Sequence, residues 1–375
     1  MNIVLDAHML GTQEGGNETY VAGLMRGFAA LADCATRVIA VCPSCQIPAI
    51  SNRHLEYVPL RTSGNFSRLL LELPSVCRRF TADLLHVTYN APLFVRTPTV
   101  VSVHDVIFRR FPSYFSPRVR LLLSTWLPLS MMRAARVVTL SEASKRDIIH
   151  YYPFTRNKIE VIPPAAGPLV ALEPDFDGAK QFTGGEPFIL AVGTLQPRKN
   201  IARLIKAYLR LRHQTGLTAK LVIVGKAAWQ HSHLYQLAAS TPYRQDIIFT
   251  GYISDATLAA LYRTCTVFVY PSLYEGFGLP VIEAMALGAP VITSNTSSLP
   301  EAAGDGAMLV DPYSEQAISD ALNCILTNAD VRQALRHRGR QQAARFSWEH
   351  TAVQTLQVYK EVVQQRHSST SDRYV

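Results

Sequence analysis

Two glutamates, Glu275 and Glu283, stand eight positions apart in SLYEGFGLPVIEAMALGAPVI, Ser272 to Ile292, with Gly276, Gly278 and Gly288 around and beyond them. The VFVYP before Ser272 reads as a strand and SLYEGFG as a turn, while Pro280 suits the first position of a helix, where its missing N–H would have no partner anyway. Gly276 and Gly278 let main-chain amides come close to a ligand, and a helix start adds partial positive charge, so the turn should attract phosphate. Carboxylates beside such a turn accept hydrogen bonds from hydroxyl groups rather than bind the anion. Phosphate together with many hydroxyls is the chemistry of a nucleotide sugar.

Other reactive residues also fall just after strands. VGTLQPRKN, Val192 to Asn200, follows a strand with Gly193 and Thr194 and then offers Arg198, a planar fork, and Lys199, a point charge. That pair is suited to neutralising a departing diphosphate without a metal. EGGNETY, Glu14 to Tyr20, puts Gly15 and Gly16 at a helix N-terminus with Asn17 as its expected cap. TVVSVHDVIF sets His104 and Asp105 at a strand end, where a histidine taken alone reads as structural.

Three patterns read as chemically silent. Asp175 and Asp177 in EPDFDG have a D-x-D spacing but lie in an aperiodic stretch that reads as a solvated linker. Cys42 and Cys45 in VCPSC are followed by no helix pattern, and no second pair completes a zinc site, so they read as reduced loop thiols. Six cysteines in 375 residues are too sparse for a disulfide framework, and no H-E-x-x-H or P-loop lysine motif occurs. No metal and no cofactor is therefore expected.

The elements that position these residues alternate almost from end to end. NIVLD, RVIAV, LLHV, TVVSVH, RVVTL and KIEVI read as buried parallel strands, and from Pro187 FILAVG, KLVIVG, DIIFTG, VFVYP and APVIT repeat the pattern, with amphipathic stretches between. Two doubly wound α/β domains are the natural solution, because 375 residues exceed what one core usually organises. The expected division is a first domain over 1–166, a linker over 167–186 and a second domain over 187–346. A helix in 347–375 would cross back to the first domain and end in a disordered tail from His367. Ligands of open parallel sheets sit beyond the carboxyl ends of the strands, so two such sheets across a hinge would make one cleft.

At 48% hydrophobic and 17% charged the chain reads as an ordinary globular protein, and no apolar run reaches the roughly 18–20 residues that span a bilayer. MNIVLDAHML carries no basic leader, so a cytoplasmic protein is expected. The net charge of +9 is concentrated between Phe108 and Arg136, where Arg109, Arg110, Arg118, Arg120, Arg133 and Arg136 meet aromatic and leucine residues and no acidic one. Two readings of that stretch stand: a surface for an anionic membrane, peripheral on the inner face of the plasma membrane, or a helix with solvated arginines and its apolar side in the core. Nucleic acid is not expected, since the basic residues form no recognition motif and the two glutamates would face phosphate. The sequence carries no signal for oligomeric state.

EGFGLPVIEAMALGAPVI resembles the E-x7-E signature of retaining glycosyltransferases of family 4, which have the two-domain GT-B fold. VGTLQPRKN is similar to that family's basic motif, with Thr194 where many members have arginine, and EGGNETY to its glycine loop. LSEASKRDI, LPEAAG and FSWEHTAVQTLQVYKEV extend the likeness over nearly the whole chain. The resemblance implies that Glu283 binds the ribose hydroxyls of a nucleotide-sugar donor. It also implies that Glu275 contacts the donor sugar and that the turn of Gly276, Phe277, Gly278 and Leu279 lies near sugar and phosphate. Gly15 and Gly16 would face the donor phosphates and the acceptor, with Asn17 and Tyr20 on the acceptor side. His104 would reach the reacting centre, with Asp105 holding its imidazole or capping the next turn. Main-chain groups around Gly225 and Tyr252 would meet the base. The implied activity is metal-independent transfer of a hexosyl group, with retention, from a UDP-sugar, preferred over GDP-mannose, to a saccharide or lipid-linked saccharide. The leaving phosphate oxygen would help to deprotonate the acceptor. Competing readings are a nucleotide-sugar epimerase of the same fold, a nucleic-acid binder and a catalytically silent partner subunit.

Overall fold

Hydrophobic runs too short for helices and flanked by turn residues become two parallel sheets in the computed structural model, which describes residues 1–12, 15–31, 35–43, 54–61, 64–226 and 232–371. The chain divides into an amino-terminal unit, Met1–Ala165 with Ser347–Val375, and a carboxy-terminal unit, Ala166–Phe346. In the first, strands β1 (Asn2–Asp6), β2 (Arg37–Pro43), β3 (Leu55–Leu60), β4 (Leu84–Thr88), β5 (Thr99–Ser102), β6 (Arg136–Thr139) and β7 (Ile159–Val161) run in the order β3-β2-β1-β4-β5-β6-β7. In the second, β8 (Phe188–Val192), β9 (Lys220–Val224), β10 (Ile247–Gly251), β11 (Val267–Tyr270), β12 (Val291–Ser294) and β13 (Ala307–Val310) run in the order β10-β9-β8-β11-β12-β13. Every pairing is parallel, and in each sheet the order reverses beside its first strand, between β1 and β4 and between β8 and β11. Each unit is thus a doubly wound α/β domain, as the sequence predicts.

Each sheet has its own core. Val4, Ile39, Leu85, Val101 and Val137 anchor the first, and Ile189, Leu221, Val269 and Ile292 the second, all fully withdrawn from water. The helix Trp348–Ser371 completes the first unit by packing on the helix Gly16–Ala30. Their approach is very close: a Cβ at Gly27 would lie 2.2 Å from the Trp348 carbonyl oxygen, so no larger residue fits. The helix runs to Ser371, past His367, where a disordered tail is expected from the sequence.

The segment expected as a linker, 167–186, belongs to the second unit. Asp175 caps the helix Phe176–Thr183 by accepting from Gly178 N at 2.9 Å, and its other oxygen accepts from Thr257 Oγ1 at 2.9 Å. Its carboxyl is held below the usual range by these two bonds, which favour the charged form. The D-x-D carboxylate is therefore an N-cap. Cys42 is buried in β2, and Cys45 and Glu14 lie outside the described residues. No helix among the described residues is long and apolar enough to cross a membrane.

Candidate functional site

In the second unit, β8 and β11 carry their loops to the switch point of the sheet, and five residues meet there. Leu195 N bonds to Lys226 O and Gly193 N to Val224 O, fixing the turn after β8, and the short 3-10 helix Pro197–Lys199 presents Arg198 and Lys199. A Cβ at Gly225 would lie 2.1 Å from the Gly193 carbonyl oxygen, so the loops after β8 and β9 touch through bare backbone. Thr194 is exposed, and Tyr252 projects a 62% exposed ring beyond β10 with Lys226 Nζ 4.7 Å from its centre.

Glu275 closes the cluster. Its Oε1 accepts from Lys199 Nζ at 2.6 Å, Tyr270 OH at 3.0 Å and Ser272 Oγ at 2.5 Å, and its Oε2 pairs with Arg198 Nη1 at 2.7 Å. Lys199 Nζ also donates to Tyr270 OH. Burial opposes ionisation of Glu275, but Arg198 and Lys199, with the bonds from Lys199 and Ser272, outweigh it and bring the carboxyl down to about 2. Burial, and then the charge of Glu275, push Tyr270 well above the ordinary tyrosine value, so it remains a phenol. Two cations against one carboxylate leave a net positive charge.

The sequence leaves Glu275 open to hydroxyls. The structure instead ties it to the two cations, so of roughly four acceptor positions on a carboxylate about one, on Oε2, remains. Ser272, Tyr270 and Ser298 were absent from the sequence reading of the site. Ser298 Oγ donates to the carbonyls of Glu275 and Phe277, each at 2.8 Å, and Ser297 Oγ accepts from Glu275 N at 3.1 Å, so the loop after β12 clamps the glycine turn. Only the position of Ser297 and Ser298 just after APVIT could have pointed to that clamp.

The turn leads into the helix Leu279–Ala286, with Gly278 as N-cap at φ 116° and Pro280 at its second position, one place later than expected. Phe277 is buried edge-on against Phe346, with ring centres 5.3 Å apart. Glu283, buried on the same helix, accepts from Gly167 N at 3.2 Å through Oε1, and its other oxygen makes no hydrogen bond among the described residues. Burial pushes its carboxyl up to about 7, against the bond from Gly167 and with a smaller push from Asp255. The two signature glutamates therefore differ in charge state at neutral pH.

In the first unit His104 follows β5. Its Nδ1 lies 2.8 Å from Asn17 Oδ1, its ring meets Tyr20 edge-on at 4.6 Å, and its Nε2 is buried without a partner. With Asn17 Oδ1 accepting, Nδ1 carries the proton and Nε2 is left as an acceptor. Burial, helped by the neighbouring His86, lowers its pKa to about 3, so the ring is neutral. Asn17 is thus the partner of His104 and not the helix cap, which is Gly15. Asp105 closes the turn that follows, accepting from Ile107 N at 3.0 Å. Tyr20 is no surface residue: at 1% exposure it faces inward, with its OH 3.0 Å from Ser102 Oγ. Ser102 Oγ is 2.7 Å from His86 Nε2, and His86 Nδ1 bonds Tyr359 OH. Gly15 and Gly16 open the helix beside this network, and Arg118 and Arg120 lie exposed on the helix Pro117–Arg133.

Among the described residues no group of three or more His, Cys, Asp or Glu side chains converges as a metal site. The combination available is a cationic pair with a partly free carboxylate, a half-neutral buried carboxyl and, in the other unit, a neutral imidazole with an unsatisfied nitrogen.

Residues 173–342 match the family of Glycosyl transferases group 1, and residues 14–166 match Glycosyltransferase Family 4. O-antigen chain mannosyltransferase B of Escherichia coli is 34% identical over 271 residues, which are 70% of this chain and 70% of that protein. Serotype-specific mannosyltransferase WbdA of Escherichia coli is 32% identical over 240 residues, 62% of this chain but only 29% of that protein. The structure of sucrose-phosphate synthase from Thermosynechococcus elongatus superposes with a TM-score of 0.78 at 21% identity, covering 97% of this chain and 100% of that one.

Proposed function

Because the chain belongs to the group 1, family 4 glycosyltransferases of GT-B fold, we propose that it moves a mannosyl group from a nucleoside diphosphate sugar to a hydroxyl of a growing saccharide, with the anomeric configuration retained. The observation that carries this reading is the meeting of Arg198, Lys199 and Glu275 at the switch point of the second sheet. A diphosphate entering there finds one buried and one partly buried cation already oriented. As the sugar–phosphate bond breaks, charge grows on the leaving oxygen, and each such donor contributes about 2–4 kcal/mol in a dry site. The sequence admits a UDP-sugar or GDP-mannose. The relatives named for mannosyl transfer favour GDP-mannose, reversing the preference drawn from sequence alone.

In this proposal Glu283 takes the ribose hydroxyls through its unbonded oxygen, and the remaining acceptor position of Glu275 takes a sugar hydroxyl. The main-chain groups near Gly225 and Tyr252 meet the base. His104 enters through Nε2, an unsatisfied buried acceptor suited to a sugar hydroxyl. The departing phosphate oxygen takes the acceptor proton, and Arg198 and Lys199 stand where other transferases use a metal, so a chelator should leave the rate unchanged. The acceptor is a lipid-linked saccharide, and the exposed arginines of the helix Pro117–Arg133 rest on an anionic membrane.

Labelled GDP-mannose and UDP-hexoses, each with and without a short mannoside acceptor, test the reading. Product with a retained α-linkage only from GDP-mannose plus acceptor is expected. Conversion of donor alone to its epimer would overturn it, and transfer only from a UDP-sugar would overturn the donor assignment.

A further inference from the structure

A cavity of about 180 Å³ opens beside the amino-terminal ends of β5 and β6, lined by Val95, Arg96, Thr97, Thr99, Arg133 and Ala135 among others. It lies on the side of the first sheet away from His104, which follows the carboxyl end of β5. No acidic residue lines it, and neither Arg96 nor Arg133 forms an ion pair among the described residues. Arg133 ends the helix Pro117–Arg133, whose last carbonyls would repel an anion if bare. Of these, Met132 O accepts from Lys158 Nζ at 2.9 Å, and just past the helix Ala134 O accepts from Lys158 Nζ at 3.0 Å and Ala135 O from Arg136 at 3.1 Å. Two arginines thus line a hollow that has no acidic residue in its wall.

Its surroundings are apolar. Nine of the seventeen exposed large hydrophobic side chains among the described residues fall between Phe66 and Met132. Phe94, next to the cavity-lining Val95, is 83% exposed, and Met132, next to Arg133, is 59% exposed. On the same helix Leu121 is 67% exposed, and Trp126 both donates to Ala91 O of the cavity wall and meets the 58% exposed Phe66 edge-on at 5.7 Å. A soluble phosphate needs arginines but no such fringe. A phospholipid needs both, an anionic headgroup held by guanidinium forks and acyl chains beside exposed leucine and phenylalanine.

We propose that this cavity is a headgroup site, in which Arg96 and Arg133 hold the phosphate of an anionic phospholipid while Phe94 and Met132 enter the acyl boundary. The site rests on the reading that this face docks on a membrane, and it adds a specific anchor where that reading needs only diffuse attraction. The two separate experimentally, because diffuse attraction depends on charge and a fork site depends on arginine.

The test is sedimentation of the full chain at low salt with phosphatidylglycerol vesicles and with phosphatidylcholine vesicles. It compares wild type, the charge-preserving double variant Arg96→Lys/Arg133→Lys, and Leu121→Ser/Leu122→Ser as a variant of docking alone. The lysine variant should bind phosphatidylglycerol vesicles about fivefold or more weakly than wild type, since two bidentate contacts become point charges, while transfer to a soluble acceptor is unchanged. Leu121→Ser/Leu122→Ser should weaken binding to both vesicle types. Equal binding by the lysine variant and wild type would overturn the headgroup site and leave docking standing. Absence of wild-type binding to any vesicle would overturn docking and the site together. Heat protection of wild type but not the lysine variant by millimolar inorganic phosphate, with equal vesicle binding, would assign the cavity to free phosphate and overturn the lipid.

Discussion

The two units share one strand order over six strands, the first adding β7 at its edge, yet carry opposite chemistry at their strand ends. After β8 and β11 the second unit places two cations against one carboxylate, and Glu275 is ionised down to about 2. After β5 the first unit places a histidine that burial keeps neutral to about 3, wired by Tyr20, Ser102, His86 and Tyr359 through hydroxyls and rings. Where the first unit does hold buried ions at a strand end, Arg68 meets Asp6 one for one, with His8 Nδ1 3.0 Å from the same carboxylate. The topology fixes where loops converge, and the residue types decide whether that point attracts an anion or presents a neutral acceptor.

The comparison breaks first at the cations. Lys199→Ala should lower kcat by about 10²-fold or more with a smaller change in donor KM, because the charge it neutralises grows on the leaving group. Single-turnover rates check this, and equal loss from His104→Ala and Lys199→Ala in donor binding alone would erase the division between the units.

Mild acid sharpens it next. A histidine with a depressed folded pKa is destabilising once its unfolded form charges, so stability falls as pH drops below 6.5 toward 3. His86 and His104, both lowered to about 3, each cost on the order of 2 kcal/mol at pH 5 relative to pH 7. Glu283 has the opposite sign. Its raised pKa gives stability that is complete below 4.5 and lost as pH rises through 7, so the second unit gains roughly 2 kcal/mol over the same interval. Glu275 contributes only lower, between 4.5 and 2. Urea-dependent modification of buried Cys77 in the first unit and buried Cys265 in the second, with a thiol reagent active at pH 5, reads each unit separately. The midpoints should move in opposite directions.

Within the second unit, the two glutamates divide by titration. If ribose hydroxyls bind ionised Glu283, nucleoside diphosphate affinity should rise about tenfold from pH 6 to pH 8, the change in its ionised fraction around 7. In Glu283→Gln that slope should vanish, whereas a slope retained in the variant would assign it to the nucleotide's own phosphate.

The sequence showed both sheets but missed one edge strand of each. β3, LEYVPL, contains Pro59, which a central strand would not tolerate, and β3 lies at the rim of its sheet. β13 is likewise an edge and only four residues long. Central strands buried on both faces write continuous apolar runs, which these two edge strands do not. The glycine turn, Arg198, Lys199 and Glu283 were legible because spacing places them after strands or on a helix. What spacing cannot give is which side chain meets which. The Asn17 bond to His104, the inward turn of Tyr20 and the capture of Glu275 by the cations are all contacts distant in sequence, from 76 to 87 residues for the two hydrogen-bonded pairs.

The smallest effect tests how far the neutral network is structural. Tyr359 belongs to the returning helix, is fully buried, and has its phenol pushed well above the ordinary value by burial, so it bonds His86 as a neutral group. Tyr359→Phe keeps the ring and its edge-on contact with His86 at 5.5 Å and removes one hydroxyl. A single neutral bond contributes about 1 kcal/mol, with a further penalty for the His86 nitrogen left unsatisfied. The loss should therefore appear at Cys77 and not at Cys265 in the labelling experiment. Because Ser102 and Tyr20 lie between His86 and His104, kcat should change less than twofold if the chain only packs His104 in place. A larger fall in kcat with stability unchanged would make the network a relay that sets the proton on His104, and the first unit would then share in the chemistry that the comparison assigns to the second.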